Sequence, residues 1–143
     1  MINLDIKQKT IAKEVTLSGV GLHTGKSVTM TFKPAPENSG YAFVRIDLEG
    51  RPIIEADANY VVTTQRGTNL EKNGVNINTS EHVLAALVGL EIDNCIIELN
   101  ASEPPIMDGS SKHFVEIIET AGFIEQEAFV EEYVVKEIIS YKD

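Results

Sequence analysis

Tryptophan is absent, cysteine occurs once, and 12 basic residues stand against 22 acidic ones, a formal charge of −10 at pH 7. Each scarcity excludes something. The lone Cys95 lies in the apolar stretch 92–99 and reads as a small buried hydrophobe rather than a redox or metal residue. The acidic balance opposes the counterion release on which nucleic-acid binding depends, so no nucleic-acid partner is expected. No apolar run approaches the ~18 residues of a membrane span, which predicts no transmembrane segment. The opening residues MINLDIKQK also lack the apolar core of a secretory signal. A soluble, cytoplasmic protein is the expectation. With 143 residues the chain fits one domain, able to bury roughly 68–70% of its unfolded surface without a disulfide or structural metal.

The first two-thirds reads as short strands. Val28, Met30 and Phe32 alternate with Thr29, Thr31 and Lys33, giving one apolar and one polar face. A strand is predicted over residues 11–18, and the loop Gly19-Val-Gly21-Leu-His-Thr-Gly25 joins it to the next as a hairpin, its glycines free to take positive φ. Past Pro34-Ala-Pro36, further strands are predicted over 41–47, 53–58, 67–70 and 75–77, the last two joined across Glu71-Lys-Asn-Gly74.

The period then changes. Residues 80–88 are strong helix formers that follow the capping candidates Asn78 and Thr79 and stop at Gly89. A second helix carries Phe114, Ile117, Ile118 and Ala121 at i, i+3, i+4 and i+7, with Asp108 or Ser110 as cap and Gly122 at its end. Between the helices, residues 94–99 are apolar and β-rich enough for a central strand. The predicted fold is α+β: a two-layer sandwich of a mainly antiparallel sheet with two helices packed on one face. Residues 1–128 form its domain. Residues 129–143 form either a terminal strand or a connector to a second, missing domain.

Chemistry concentrates at Glu81 and His82, adjacent at the start of the first helix. Neutral imidazole is a common zinc ligand, and a carboxylate one residue away is placed to take a proton from an activated water. Two blander readings compete with this one. Asn78-x-x-Glu81 fits a capping box, and His82 fits a partly buried helix residue. His23, in the glycine-rich loop, is either a functional side chain on a rim or an ordinary turn histidine. His113 reads as surface. The stretch Glu103-Pro-Pro-Ile-Met-Asp108-Gly-Ser-Ser offers backbone N–H groups at a helix start, or simply a rigid loop with a cap. Catalytic zinc generally keeps three protein ligands, and three scattered histidines cannot be assumed to meet.

Taken together, Gly21-Leu-His-Thr-Gly25, Thr64-Gln-Arg-Gly-Thr68, Thr79-Ser-Glu-His-Val-Leu-Ala-Ala-Leu87, Gly89-Leu-Glu-Ile-Asp-Asn94 and Pro105-Ile-Met-Asp-Gly-Ser110 resemble the UDP-3-O-acyl-N-acetylglucosamine deacetylase family of lipid A synthesis. Five motifs in the right order are highly specific, and they span roughly residues 11–128, the family's first domain. Departures are small: Ser80 stands where Val is common, Val83 for Leu, Glu91 for Gly and Pro104 for Ile. The resemblance implies a zinc hydrolase that removes acetate from the 2-acetamido group of a UDP-linked, 3-O-acylated glucosamine. By motif match Glu81 is the general base and His82 one of three zinc ligands, the other two coming from a His-x-x-x-Asp motif in a second domain. His23, Arg66 and Gly67 are placed near the substrate cleft. It follows that the isolated chain is expected to be inactive, needing its second domain as partner to complete the site. A non-catalytic α+β domain binding a ligand or protein is the competing reading, since fold alone does not fix function.

Overall fold

The computed structural model describes the backbone of residues 2–143 and the side chains from residue 5 onward. In chain order the elements are β1 (Ile2–Ile11), β2 (Val15–Val20), β3 (Ser27–Pro34), β4 (Tyr41–Arg45), β5 (Ile53–Glu55), a single 3-10 turn (Ala58–Tyr60), β6 (Val61–Thr63), β7 (Asn69–Lys72), β8 (Val75–Ile77), α1 (Glu81–Gly89), β9 (Cys95–Leu99), α2 (Lys112–Ala121) and β10 (Phe123–Glu132). The main sheet runs β2-β3-β9-β4-β5. β9 sits at its centre as predicted, antiparallel to β3 and parallel to β4. That parallel pair needs a long crossover, which the chain makes through β5 to β8 and α1.

One face of this sheet supplies the core. Val28, Met30 and Phe32 of β3 are buried with Phe43, Ile54, Cys95, Ile97 and Leu99. Val83, Ala86 and Leu87 of α1, and Phe114, Ile118 and Ala121 of α2, complete the same apolar cluster. The opposite face is polar, as the alternation predicts. Thr16 pairs with Thr31 and Ser18 with Thr29 through their hydroxyls, and Glu98 binds Lys33 and Arg51. The architecture is the α+β sandwich expected. Cys95 is fully buried, and desolvation pushes its thiol up to about 12, so it packs as a neutral hydrophobe.

Four local expectations are corrected. The strand predicted over 11–18 is two strands broken at residues 12–14, because Ala12 leaves β1 to donate its N–H to the Gly122 carbonyl at 2.9 Å. Residues 67–68 do not extend: Arg66 and Gly67 turn the chain at φ +61° and +147°, so β7 starts at Asn69. The strand predicted to reach 58 stops at Glu55, where Asp57 caps the 3-10 turn by accepting from the Asn59 N–H. Asn78 and Thr79 do not cap α1. Ser80 occupies the cap position with no side-chain cap bond, its hydroxyl instead donating to the Thr68 carbonyl.

Strands outside the main sheet form two further sheets, β6-β7-β8 and β1-β10. The β7–β8 hairpin turns at Asn73 and Gly74 with both φ positive, as the Asn-Gly pair predicts. Arg45 anchors this small sheet to the large one, donating to both carboxylate oxygens of Asp47 and to the Asn76 carbonyl. The β1-β10 ribbon joins the two ends of the fold, and β10 runs unbroken through residue 128 to Glu132. Among the described residues no helix is long and apolar enough to cross a membrane.

Candidate functional site

Thr79 is the pivot of the candidate site. It holds φ +54°, a left-handed conformation costly for a β-branched residue, and three bonds fix it there. Its N–H donates to Asn69 Oδ1 at 3.0 Å and its hydroxyl to Glu103 Oε1 at 2.9 Å, while His23 Nδ1 lies 3.3 Å from the same hydroxyl. The sharp turn at Thr79 starts α1 beside the 65–68 loop. Glu81 then reaches back to accept the Thr68 N–H at 2.9 Å with Oε2. The capping box that competed as a reading of Glu81 does not form; a tie to a loop 13 residues away stands in its place.

His82 follows on the same helical turn. Its Nε2 is 3.9 Å from Glu81 Oε1, beyond hydrogen-bond length, and both side chains are about one-third exposed. Neither is sunk in the core. The His82 carbonyl accepts from the Ser111 hydroxyl at 2.8 Å, which locks the first turn of α1 to the start of α2. Of the caps predicted for α2, Ser110 accepts the Lys112 N–H at 3.2 Å, but the cap position itself is Ser111.

Gly67 packs directly on this arrangement. A Cβ at this residue would lie 3.3 Å from Glu81 Oε1 and equally close to Thr79 Cα and Oγ1, at a φ that side chains rarely adopt. Gly67→Ala is expected to cost about 1–3 kcal/mol in chemical denaturation through strain. It should also displace the Glu81 carboxylate, visible as a loss of amide protection at Thr68. An unchanged midpoint and protection would refute the close packing.

On the other side of Thr79, the 21–26 loop closes through Gly21 N–H to Lys26 O and Gly25 N–H to Gly21 O, both 3.0 Å. It wraps around Glu103, whose side chain is only 1% exposed. The Glu103 carboxylate accepts the backbone N–H of His23 and Thr24, the Thr79 hydroxyl, and His23 Nδ1 at 2.9 Å. A Cβ on Gly21 would come within 2.6 Å of Glu103 Oε2, so only glycine lets the carboxylate enter the loop. Burial alone would push the Glu103 carboxyl up, but the donors of Thr24, His23 and Thr79 outweigh it and hold it below the usual carboxylate range.

A depressed folded-state pKa means this network contributes its full stability above the ordinary glutamate value, about 4.3, and loses it as pH falls from there through the folded value. The loss of unfolding free energy with acid over that window should be shallower in Glu103→Gln than in the wild type. Equal slopes in a pH series of denaturant melts would contradict the assignment.

His23, Gln65, Arg66, Asn69 and Asn78 line a groove of about 230 Å³. The fold thus gathers the predicted His23, Arg66, Gly67 and Glu81 around Thr79, and sets His82 one residue beyond Glu81. Glu81 and His82 are not among the residues lining the groove. His113 stays apart, 3.8 Å from Asp108 and 3.7 Å from Glu116. Glu103 is the functional candidate that sequence reasoning passed over, since the stretch 103–111 pointed to backbone N–H groups and not to a buried acid.

Among the described residues no three His, Cys, Asp or Glu side chains come together as a metal site. The residues present offer one partly exposed imidazole beside one carboxylate and do not by themselves make a zinc site.

Residues 8–143 match the family model described as UDP-3-O-acyl N-acetylglycosamine deacetylase. A bifunctional enzyme LpxC/FabZ of Bacteroides thetaiotaomicron is 51% identical over 96% of this chain and 30% of its own length. UDP-3-O-acyl-N-acetylglucosamine deacetylases of Myxococcus xanthus and Saccharophagus degradans are 48% and 46% identical, over 95% and 96% of this chain and 43% and 46% of their own lengths. The chain therefore spans less than half the length of these curated relatives.

Proposed function

This chain belongs to the UDP-3-O-acyl-N-acetylglucosamine deacetylase family, and from that premise we propose that it is the amino-terminal part of a zinc-dependent amide hydrolase of lipid A biosynthesis. The reaction is hydrolysis of the acetamide of a UDP-linked, 3-O-acylated N-acetylglucosamine. Water adds its oxygen to the acetyl carbon, the C–N bond breaks, and acetate leaves while the sugar nitrogen keeps the electron pair and takes up a proton.

The observation that carries this reading is the convergence on Thr79, which sets a partly exposed carboxylate and imidazole near a groove lined by His23 and Arg66. Glu81 acts as general base. Its Oε2 is held by the Thr68 N–H, which fixes the carboxylate, and its Oε1 is left to accept the proton of the attacking water. His82 contributes one ligand to zinc, with the remaining ligands supplied by the second domain of the same protein. The ion would supply Lewis-acid polarisation of the amide. His23, Arg66 and the backbone at Gly67 contact the substrate.

The outer side of α1 supports a shared cleft. Ala85 and Val88 are exposed, so the helix carries apolar side chains on the side turned from its own core, as expected of a helix covered by further protein. An acetate-release assay on the chain joined to the carboxy-terminal portion of its relatives tests the proposal. Hydrolysis of the UDP-sugar that chelation abolishes and zinc restores is expected. Absence of hydrolysis would favour the non-catalytic binding domain instead, and hydrolysis indifferent to chelation would remove zinc from the reaction.

A further inference from the structure

A carboxylate withdrawn from water costs several kcal/mol unless its oxygens are fully engaged, and Glu103, at 1% exposure, is the most deeply withdrawn acid in the site. Three of its donors explain the loop. The N–H groups of His23 and Thr24 and the hydroxyl of Thr79 bind the 21–26 segment to the start of α1. The fourth does not. His23 Nδ1 reaches Glu103 Oε1 at 2.9 Å across 80 residues of sequence, while the ring stays about 40% exposed at the edge of the groove. A scaffold needs no imidazole there.

An ionised carboxylate only accepts, so the hydrogen in this contact is carried by Nδ1. A neutral ring so held has its lone pair on Nε2, at the ring edge away from Glu103. We infer that Glu103 is a positioning residue that fixes the tautomer and orientation of His23, so that His23 presents Nε2 as an acceptor to a hydroxyl or amide N–H of the sugar substrate in the groove. This rests on the deacetylase reading for the identity of the ligand, though not for the Glu103–His23 contact. Two other polar walls are also held in place: Asn69 is oriented by the Thr79 N–H, and Asn78 accepts from Asn76 at 3.2 Å.

Two measurements test the inference. Nitrogen-resolved NMR of the metal-free chain, at a pH above which its three imidazole signals stop moving, should show His23 predominantly as the Nδ1–H tautomer. In Glu103→Met, which keeps the side-chain length and removes the acceptor, the Nε2–H tautomer should gain. A wild-type His23 that is mainly Nε2–H overturns the inference whether or not the Met variant folds, and so does a folded Met variant with an unchanged tautomer.

Kinetics on the two-domain protein then separate positioning from scaffolding. Glu103→Met and His23→Ala should each lower kcat/KM, and Glu103→Met should cost clearly less in the His23→Ala background than in the wild type. Multiplicative losses would show that Glu103 acts without His23 and would overturn the inference. A two-domain protein without any hydrolysis would sink the deacetylase reading and the substrate role of His23 with it, while the tautomer result would still decide the contact.

Discussion

Replacing Glu81 with Gln in the two-domain protein should lower kcat by 10²- to 10⁴-fold, the range lost with a general base, at undiminished zinc content. The expectation follows from what each carboxylate oxygen does. One accepts the Thr68 N–H, and a Gln carbonyl oxygen can take over that bond, so the 65–68 loop and the start of α1 should keep their shape. The other must accept a proton from water, and an amide nitrogen cannot. Because Glu81 is assigned no ligand role, the metal should stay. A parallel loss of zinc would mean that Glu81 coordinates the ion and has been given the wrong part, and a rate within threefold of wild type would remove it from the chemistry altogether.

The second large effect concerns the chain by itself. Its residues place one imidazole, His82, beside one carboxylate, with no third ligand among the described residues. A single imidazole completed by water holds zinc far less firmly than three protein ligands do. The 143-residue chain is therefore expected to fold, to release acetate at no more than the uncatalysed rate, and to lose added zinc on dialysis against a chelator. Joining it to the second domain should restore turnover. A stoichiometric, chelator-resistant ion in the isolated chain would show that it carries a complete metal site of its own.

Much of this was legible in the residues, and the pattern of what was not is physical. Local periodicity gave β3 and α2, because an apolar face repeats at 2.0 or 3.6 residues wherever one side is buried, while helix-forming and β-rich composition gave α1 and β9. The Asn73-Gly74 turn and the stop at Gly122 follow from the need for positive φ, observed at +52°, +77° and +71°. The β1-β10 ribbon was not legible. It pairs Ile11 with Phe123 and Ile2 with Glu132, and no local pattern announces a partner more than 100 residues away.

The site shows the same division. Glu81 and His82 stood out because their motif is contiguous. The capping box that local spacing offered as an alternative for Glu81 does not form, since Thr79 at φ +54° gives its hydroxyl to Glu103 and Glu81 bonds to Thr68. Glu103 was invisible as an acid for a related reason. Its donors come from residues 23, 24 and 79, and the only sequence hint is the pair of glycines at 19 and 21, neither of which has room for a Cβ once Glu103 and Pro105 close on the loop.

The division of labour between Glu81 and His82 is most directly tested by the zinc content of the purified two-domain protein carrying His82→Ala. Less than one-tenth of the wild-type stoichiometry is predicted. An undiminished zinc content would contradict the account at its centre, because the imidazole at the start of α1 would then have no part in holding the metal.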